Sequence, residues 1–163
     1  MATNAQKNDA ILYTIGHSTH SQEKFLELLQ MHDITTIVDV RSVPQSRFSP
    51  QFNQKNLQQT LNQIGCRYTF LGKELGGKRQ EKECYANLEI DTEKVLALPI
   101  FQEGCERLLQ ETVENRVAVL CSEKDPEKCH RAYWVSKALR DRLAIRHILA
   151  DGSTITHEEL ERR

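Results

Sequence analysis

Three observations in the sequence predict an α/β fold with a mostly parallel β-sheet and helices on both faces. Short β-prone runs alternate with segments of helical periodicity along most of the chain. Two of the runs, residues 34–40 (ITTIVDV) and 117–121 (VAVLC), are almost continuously apolar or β-branched, as in strands covered on both sides. The intervals between runs read as helices, and alternation of that kind builds parallel sheets through crossover connections. The expected layering is Rossmann-like or flavodoxin-like. It spans one domain over residues 11–163, behind a flexible tail at residues 1–10.

Each element has its own signal. Residues 11–15 (ILYTI) form a β-prone run closed by Gly16. Thr19 or Ser21 then caps a helix whose Phe25, Leu28 and Leu29 recur at helical spacing. After the second strand, residues 41–52 read as a loop with Pro44 and Pro50. Residues 53–64 carry a Leu57, Leu61, Ile64 stripe, and Gly65 suits a helix stop. Residues 67–71 are a third strand. The polar, glycine-bearing stretch 72–98 reads as a long lid or binding loop. Pro99 opens a helix with Phe101, Cys105, Leu108 and Leu109 on one face, ending at Asn115. Asp125-Pro126 predicts a further helix start, with Ala132, Val135 and Leu139 as the buried stripe. Residues 145–149 form a fifth strand, Gly152 turns the chain, and Thr156 with Glu159 reads as the capping box of a final helix.

Composition bounds the function. At 163 residues the chain is long enough for one substantial core. Its 22 basic and 23 acidic residues give a net charge of −1, so no global field drives it onto nucleic acid or an anionic membrane, although a local basic patch is compatible with that total. Five cysteines without a CxxC pair argue for reduced thiols and a cytoplasmic location rather than a disulfide framework. No apolar run approaches the ~20 residues of a membrane span, so no membrane partner is expected.

In parallel sheets, ligands bind outside the strand carboxyl ends. The segments there are Gly16-His17-Ser18; Asp39 and Arg41-Ser42 with Ser46 and Arg47; Gly76-Gly77-Lys78-Arg79; and Cys121-Ser122-Glu123 with Cys129-His130-Arg131. Asp39, an acid in an apolar strand, needs a partner, and Arg41 shares its face. The two are either a structural ion pair or a base with a ligand clamp. Arg41, Arg47 and Arg131 match the geometry of a phosphate or carboxylate, unless they are solvated surface arginines. The predicted helix start at Asp125-Pro126 adds backbone N–H groups. It also puts Cys129 and His130 in a first turn, where a thiolate is favoured. Cys121 is either a packed small hydrophobe or part of a metal or redox cluster with Cys129 and His130. His17 and His130 are candidate proton shuttles, whereas His20, His32, His147 and His157 read as structural. No cofactor is assigned.

Three motifs fail. A phosphatase loop would put arginine where Glu127 stands, and a sulfurtransferase loop would put it where Pro126 stands. Residues 72–78 have phosphate-loop spacing, but Arg79 replaces the magnesium-binding hydroxyl residue.

Taken together, Tyr13–Ser18, Val38-Asp39-Val40-Arg41-Ser42 with Pro44, Ser46 and Arg47, Leu75-Gly76-Gly77, and Leu120-Cys121-Ser122-Glu123 with Pro126 and Cys129-His130-Arg131 resemble the domain of unknown function 488 family. The resemblance runs over residues 11–149. It implies a compact α/β fold with these segments as its signature, and no assigned activity. Tyr85-Ala86 resembles a Tyr-Ala pair of that family, which implies that Tyr85 closes over the cleft. Ser122 and Glu127 depart from the alanine and the aromatic that the family often carries there.

The leading expectation is an enzyme acting on a small anionic, phosphorylated or nucleotide-related ligand. Arg41, Arg47 and Arg131 would bind the anion, with Gly16, Ser18, Ser42, Ser46, Gly76, Gly77, Tyr85 and Cys121 lining the cleft. Asp39 or Glu123 would act as acid or base, His17 or His130 as proton shuttle and Cys129 as nucleophile. The alternatives are a non-catalytic module for a nucleotide or a nucleic-acid end, and a metal or redox protein using Cys121, Cys129 and His130.

Overall fold

The computed structural model describes residues 8–163, the side chains of residues 8, 9 and 130–133 excepted. The chain runs β1 (Asn8–Gly16), α1 (Gln22–Met31), β2 (Thr36–Asp39), α2 (Gln54–Gln63), β3 (Arg67–Phe70) and α3 (Gly72–Leu75). It continues through β4 (Tyr85–Ala86), β5 (Glu89–Ile90), α4 (Thr92–Ala97), α5 (Pro99–Glu114) and β6 (Val117–Cys121). It closes with α6 (His130–Leu139), β7 (Leu143–Ile148), β8 (Thr154–Thr156) and α7 (His157–Glu161).

Six strands form one sheet in the order β3-β2-β6-β1-β7-β8. All neighbours are parallel except β8, which pairs antiparallel with β7 at the edge. Strand alternation splits the core in two. Tyr13, Ile15, Ile37 and Leu120 face α1 and α2, whereas Leu12, Val38, Val119 and Ile145 face α4, α5 and α6. This is the predicted α/β layering. Phe25, Leu28 and Leu29 of α1 are fully buried, and each stabilises the fold by roughly 1.5–3 kcal/mol.

The local signals place most boundaries. Ser21 caps α1 by accepting from the Lys24 N–H. Gly65 follows α2 with φ +71°, and Thr156 and Glu159 form the capping box of α7.

Four expectations need correction. Residues 8–10, read as part of a tail, already belong to β1, with Asn8 in register with Leu143; residues 1–7 lie outside the described residues. The stretch 72–98 is not one long loop. It holds α3, a 3-10 turn at Lys82–Cys84, the β4–β5 hairpin and α4, whose first turn Asp91 caps from its side chain. The helix expected at Asp125-Pro126 is a single 3-10 turn, Pro126–Lys128, and α6 starts only at His130. The cause is local: Cys129 is extended (φ −105°, ψ 95°), and Asp125 makes no side-chain cap but pairs with Lys128 at 3.6 Å. Finally, β8 was not foreseen, because residues 153–156 read only as a turn leading into a cap. Among the described residues no helix is long and apolar enough to cross a membrane.

Candidate ligand site at the strand carboxyl ends

The strand order brings the four polar segments to one edge. Beyond the strands themselves, His17 N–H donates to the Cys121 carbonyl (3.0 Å) and Ser18 N–H to that of Ser122 (3.0 Å). Val40 N–H reaches Leu120 O (3.1 Å), and Leu71 N–H reaches Asp39 O (2.9 Å). The ends of β3, β2, β6 and β1 therefore lie side by side. Gly16 is required for this approach: a Cβ there would sit 1.6 Å from the Glu123 carbonyl oxygen.

Asp39 and Arg41 are 0% and 1% exposed. The Arg41 guanidinium donates from Nε to Asp39 Oδ1 (2.9 Å) and from Nη2 to Oδ2 (2.8 Å), and the Arg41 backbone N–H also reaches Oδ1 (3.1 Å). Tyr68 completes the set by donating its hydroxyl to Oδ2 at 2.6 Å. Burial first, then the adjacent Asp39 carboxylate, pushes the Tyr68 phenol far above its ordinary value, so it remains a neutral donor. The Asp39 oxygens are thus occupied by an ion pair and a phenol. Arg41 Nη1 is buried and has no hydrogen-bond partner among the described residues. A buried guanidinium N–H without an acceptor is costly and calls for a specific explanation.

His17 lies under the loop that follows β2. Its ring stacks on Phe52 (centroids 4.7 Å apart, planes at 25°), and Phe52 in turn meets Phe25 edge-on. His17 Nδ1 lies 2.8 Å from the Ser18 carbonyl. A carbonyl only accepts, so Nδ1 carries the proton and Nε2 is the basic atom of the neutral ring. Ser18 adopts φ +49°, and its carbonyl also accepts from Ser49 Oγ (3.2 Å). In the same loop Ser46 Oγ accepts from the Phe48 and Ser49 N–H groups, a turn-forming role. Arg47 is exposed, whereas the Arg41 guanidinium is buried.

At the β6 end, Cys121 and Cys129 are buried in mutual contact. The Cys121 thiol points to the Ile15 carbonyl at 3.8 Å and the Glu123 carbonyl at 3.9 Å. Glu123 itself is exposed. Cys129 immediately precedes α6, so it sits at that helix's N-terminus rather than within its first turn. The side chains of His130 and Arg131 lie outside the described residues. Among the described residues, no group of three His, Cys, Asp or Glu side chains is placed to hold a metal ion.

Gly76 and Gly77 lead out of α3 into a loop clasped by Arg79. The Arg79 guanidinium donates to the Glu74 and Gly76 carbonyls (3.0 and 3.1 Å) and pairs with the Glu81 carboxylate. Tyr85 donates its hydroxyl to the Arg79 carbonyl (2.9 Å), and Lys78 N–H donates to Ser42 Oγ (2.9 Å). Arg79 therefore organises the loop and is not available to a ligand.

Sequence reasoning missed Tyr68 and Phe52. Neither follows a strand end, and each reaches its partner only through space. An aromatic on the strand beside a buried acid was the one available signal for Tyr68.

A mostly parallel six-stranded sheet, layered by helices and with polar side chains gathered at the strand carboxyl ends, defines a protein of the α/β class. Within that class the chain belongs to the domain of unknown function DUF488 family, whose profile matches residues 21–138. The matched span holds the ends of β2, β3 and β6, while the β1 segment with His17 lies before it. Neither the curated proteins nor the solved structures gave a match.

Proposed function

We propose that the carboxyl edge of β1, β2 and β6 binds a small anionic ligand, phosphorylated or nucleotide-related, and that the protein acts on it as an enzyme. The observation that carries this reading is Arg41 Nη1. Among the described residues it is a buried guanidinium N–H left without an acceptor, while the rest of its fork is fixed by Asp39. An anionic oxygen supplies the missing acceptor, and a pre-oriented fork binds it at little entropic cost. Arg131, at the start of α6, the helix that follows β6, would contribute a second guanidinium. His17, held in one tautomer by Ser18, supports proton transfer through Nε2. Asp39 is the positioning residue for Arg41.

The test is a thermal-shift screen against nucleotides, sugar phosphates, short oligonucleotides and divalent metals. A ligand at 100 times its dissociation constant adds about 2.7 kcal/mol, enough to raise the midpoint by several degrees. Arg41→Ala would leave Asp39 buried and unpaired, so the diagnostic variants are Arg41→Lys and Arg131→Ala. A shift with one phosphorylated class, lost in both variants, supports the reading. Recovery of that ligand unchanged after long incubation would make the protein a binding module. A shift with zinc or iron and none with any phosphate would move the function to Cys121, Cys129 and His130.

A further inference from the structure

A second cleft, of about 350 Å³, opens at the ends of β2 and β3, lined by Phe70, which by strand register shares the face of Asp39 and Tyr68, and by Ile100 of α5. Its wall residue Ile100 packs on the core beneath α4–α6, whereas Tyr68, the partner of Asp39, packs on the core beneath α1 and α2. The volume lies at the lower end of the ~300–1,000 Å³ typical of small-ligand sites.

Two chemistries meet in this cleft. Phe70, Val43 and Ile100 supply apolar lining, and Val43 is 56% exposed. Gly72 lets the Phe70 ring lie against the backbone: a Cβ there would come within 2.4 Å of Phe70 Cζ. Lys73 and Lys78 supply positive charge. The carboxylates nearest them in sequence are already taken, Glu74 by Arg107 at 3.0 Å and Glu81 by Arg79 at 3.1 Å. Neither lysine has a carboxylate within 4.0 Å among the described residues. A chain of net charge −1 thus holds an uncompensated pair of ammonium groups beside an aromatic surface. The wall is pre-formed, because the Arg79 clasp and the Lys78 N–H bond to Ser42 Oγ fix the loop that carries Lys78.

We propose that this cleft binds a nucleoside monophosphate, with the base against Phe70, Val43 and Ile100 and the phosphate on Lys73 and Lys78. Lysine is an effective point-charge partner for phosphate, and an aromatic face accepts any base. The proposal goes beyond the Arg41 reading and does not depend on it.

The experiment is calorimetric titration of the full chain with AMP, GMP, CMP and UMP, and with inorganic phosphate as the ring-free probe. The proteins are wild type, Lys73→Met/Lys78→Met and Arg41→Lys. Both lysines are exposed, and methionine keeps their stems, so the fold is retained. At least one monophosphate should bind wild type tenfold or more tightly than inorganic phosphate does. That affinity should weaken at least tenfold in the lysine variant, fall with added salt, and stay unchanged in Arg41→Lys. Binding in the lysine variant equal to wild type, or no monophosphate binding to wild type, would overturn the proposal. If affinity falls only in Arg41→Lys, the ligand sits at the Arg41 edge: the proposed function stands and the second cleft fails.

Discussion

Two clusters of buried polar side chains, at the β2 end and beneath α7, are handled in opposite ways. At the β2 end, Asp39 and Arg41 form a bidentate ion pair, and Tyr68 serves a further carboxylate lone pair. Beneath α7, the fully buried His147 accepts or donates at Nδ1 with Thr14 Oγ1 (2.6 Å) and shares a hydrogen bond with His157 across 3.1 Å. Among the described residues no carboxylate bonds directly to His147. Burial, with repulsion from His157, pushes it down to about 4, while the more distant Glu158 opposes the shift. Burial also lowers His157, against the pull of Glu161, which lies 3.8 Å from its Nε2 and is itself paired with Arg140. One region therefore keeps its charges and matches them, and the other keeps its rings neutral. The first arrangement fails when a partner is removed, the second when a proton is added.

The largest effect should come from removing one half of the pair. Arg41→Ala leaves a buried carboxylate without its counter-charge and is expected to cost about 3–5 kcal/mol in urea denaturation. The double variant Asp39→Ala/Arg41→Ala should lose less than the sum of the two single losses. A single variant as stable as wild type would show that the pair does not hold the edge together.

The histidine pair should answer to pH instead. The unfolded His147 titrates near 6.5 and the folded one at about 4, so between these values the unfolded chain binds the extra proton. Stability from this group is complete above pH 6.5 and is lost as pH falls toward 4, by about 3 kcal/mol over the window. His157, shifted in the same direction, adds to the slope. Stability measured by denaturation at a series of pH values should fall on acidification, and His147→Gln should flatten the curve. A wild-type curve already flat across this window would mean that His147 is not held neutral.

The smallest of the three effects sharpens the first region. Tyr68→Phe removes one donor but leaves Asp39 its bonds to Arg41, so a loss of about 2 kcal/mol is expected. A loss as large as that of Arg41→Ala would mean that the phenol, not the guanidinium, carries the burial of Asp39.

Much of the layering could be read from the chain before folding. The runs at 117–121 and 34–40, the Ser21 and Thr156 caps and the Gly65 stop all appear close to where they were expected. Each is encoded by neighbours in sequence, since periodicity and capping are local. The same local reasoning failed at Asp125-Pro126, where the helix signal yields only one turn because Cys129 turns extended. It failed again at 72–98, where short elements depend on side-chain clasps such as Arg79 rather than on periodicity.

For the candidate site the division is similar. That Gly16–Ser18, Asp39–Ser42 and Cys121–Glu123 follow strands was legible, and so was the Asp39–Arg41 pairing two residues apart. That Tyr68 would meet Asp39, Phe52 would cover His17, and Lys73 and Lys78 would stand unpaired beside Phe70 was not. The sequence by itself determined which faces are apolar and which segments leave the sheet at its carboxyl edge, because a strand's two faces and a helix's stripe are fixed by residues in succession. Only the tertiary structure decided that β6 lies between β2 and β1, and hence which polar side chains share a cleft, because strand order is chosen by the packing of both cores at once.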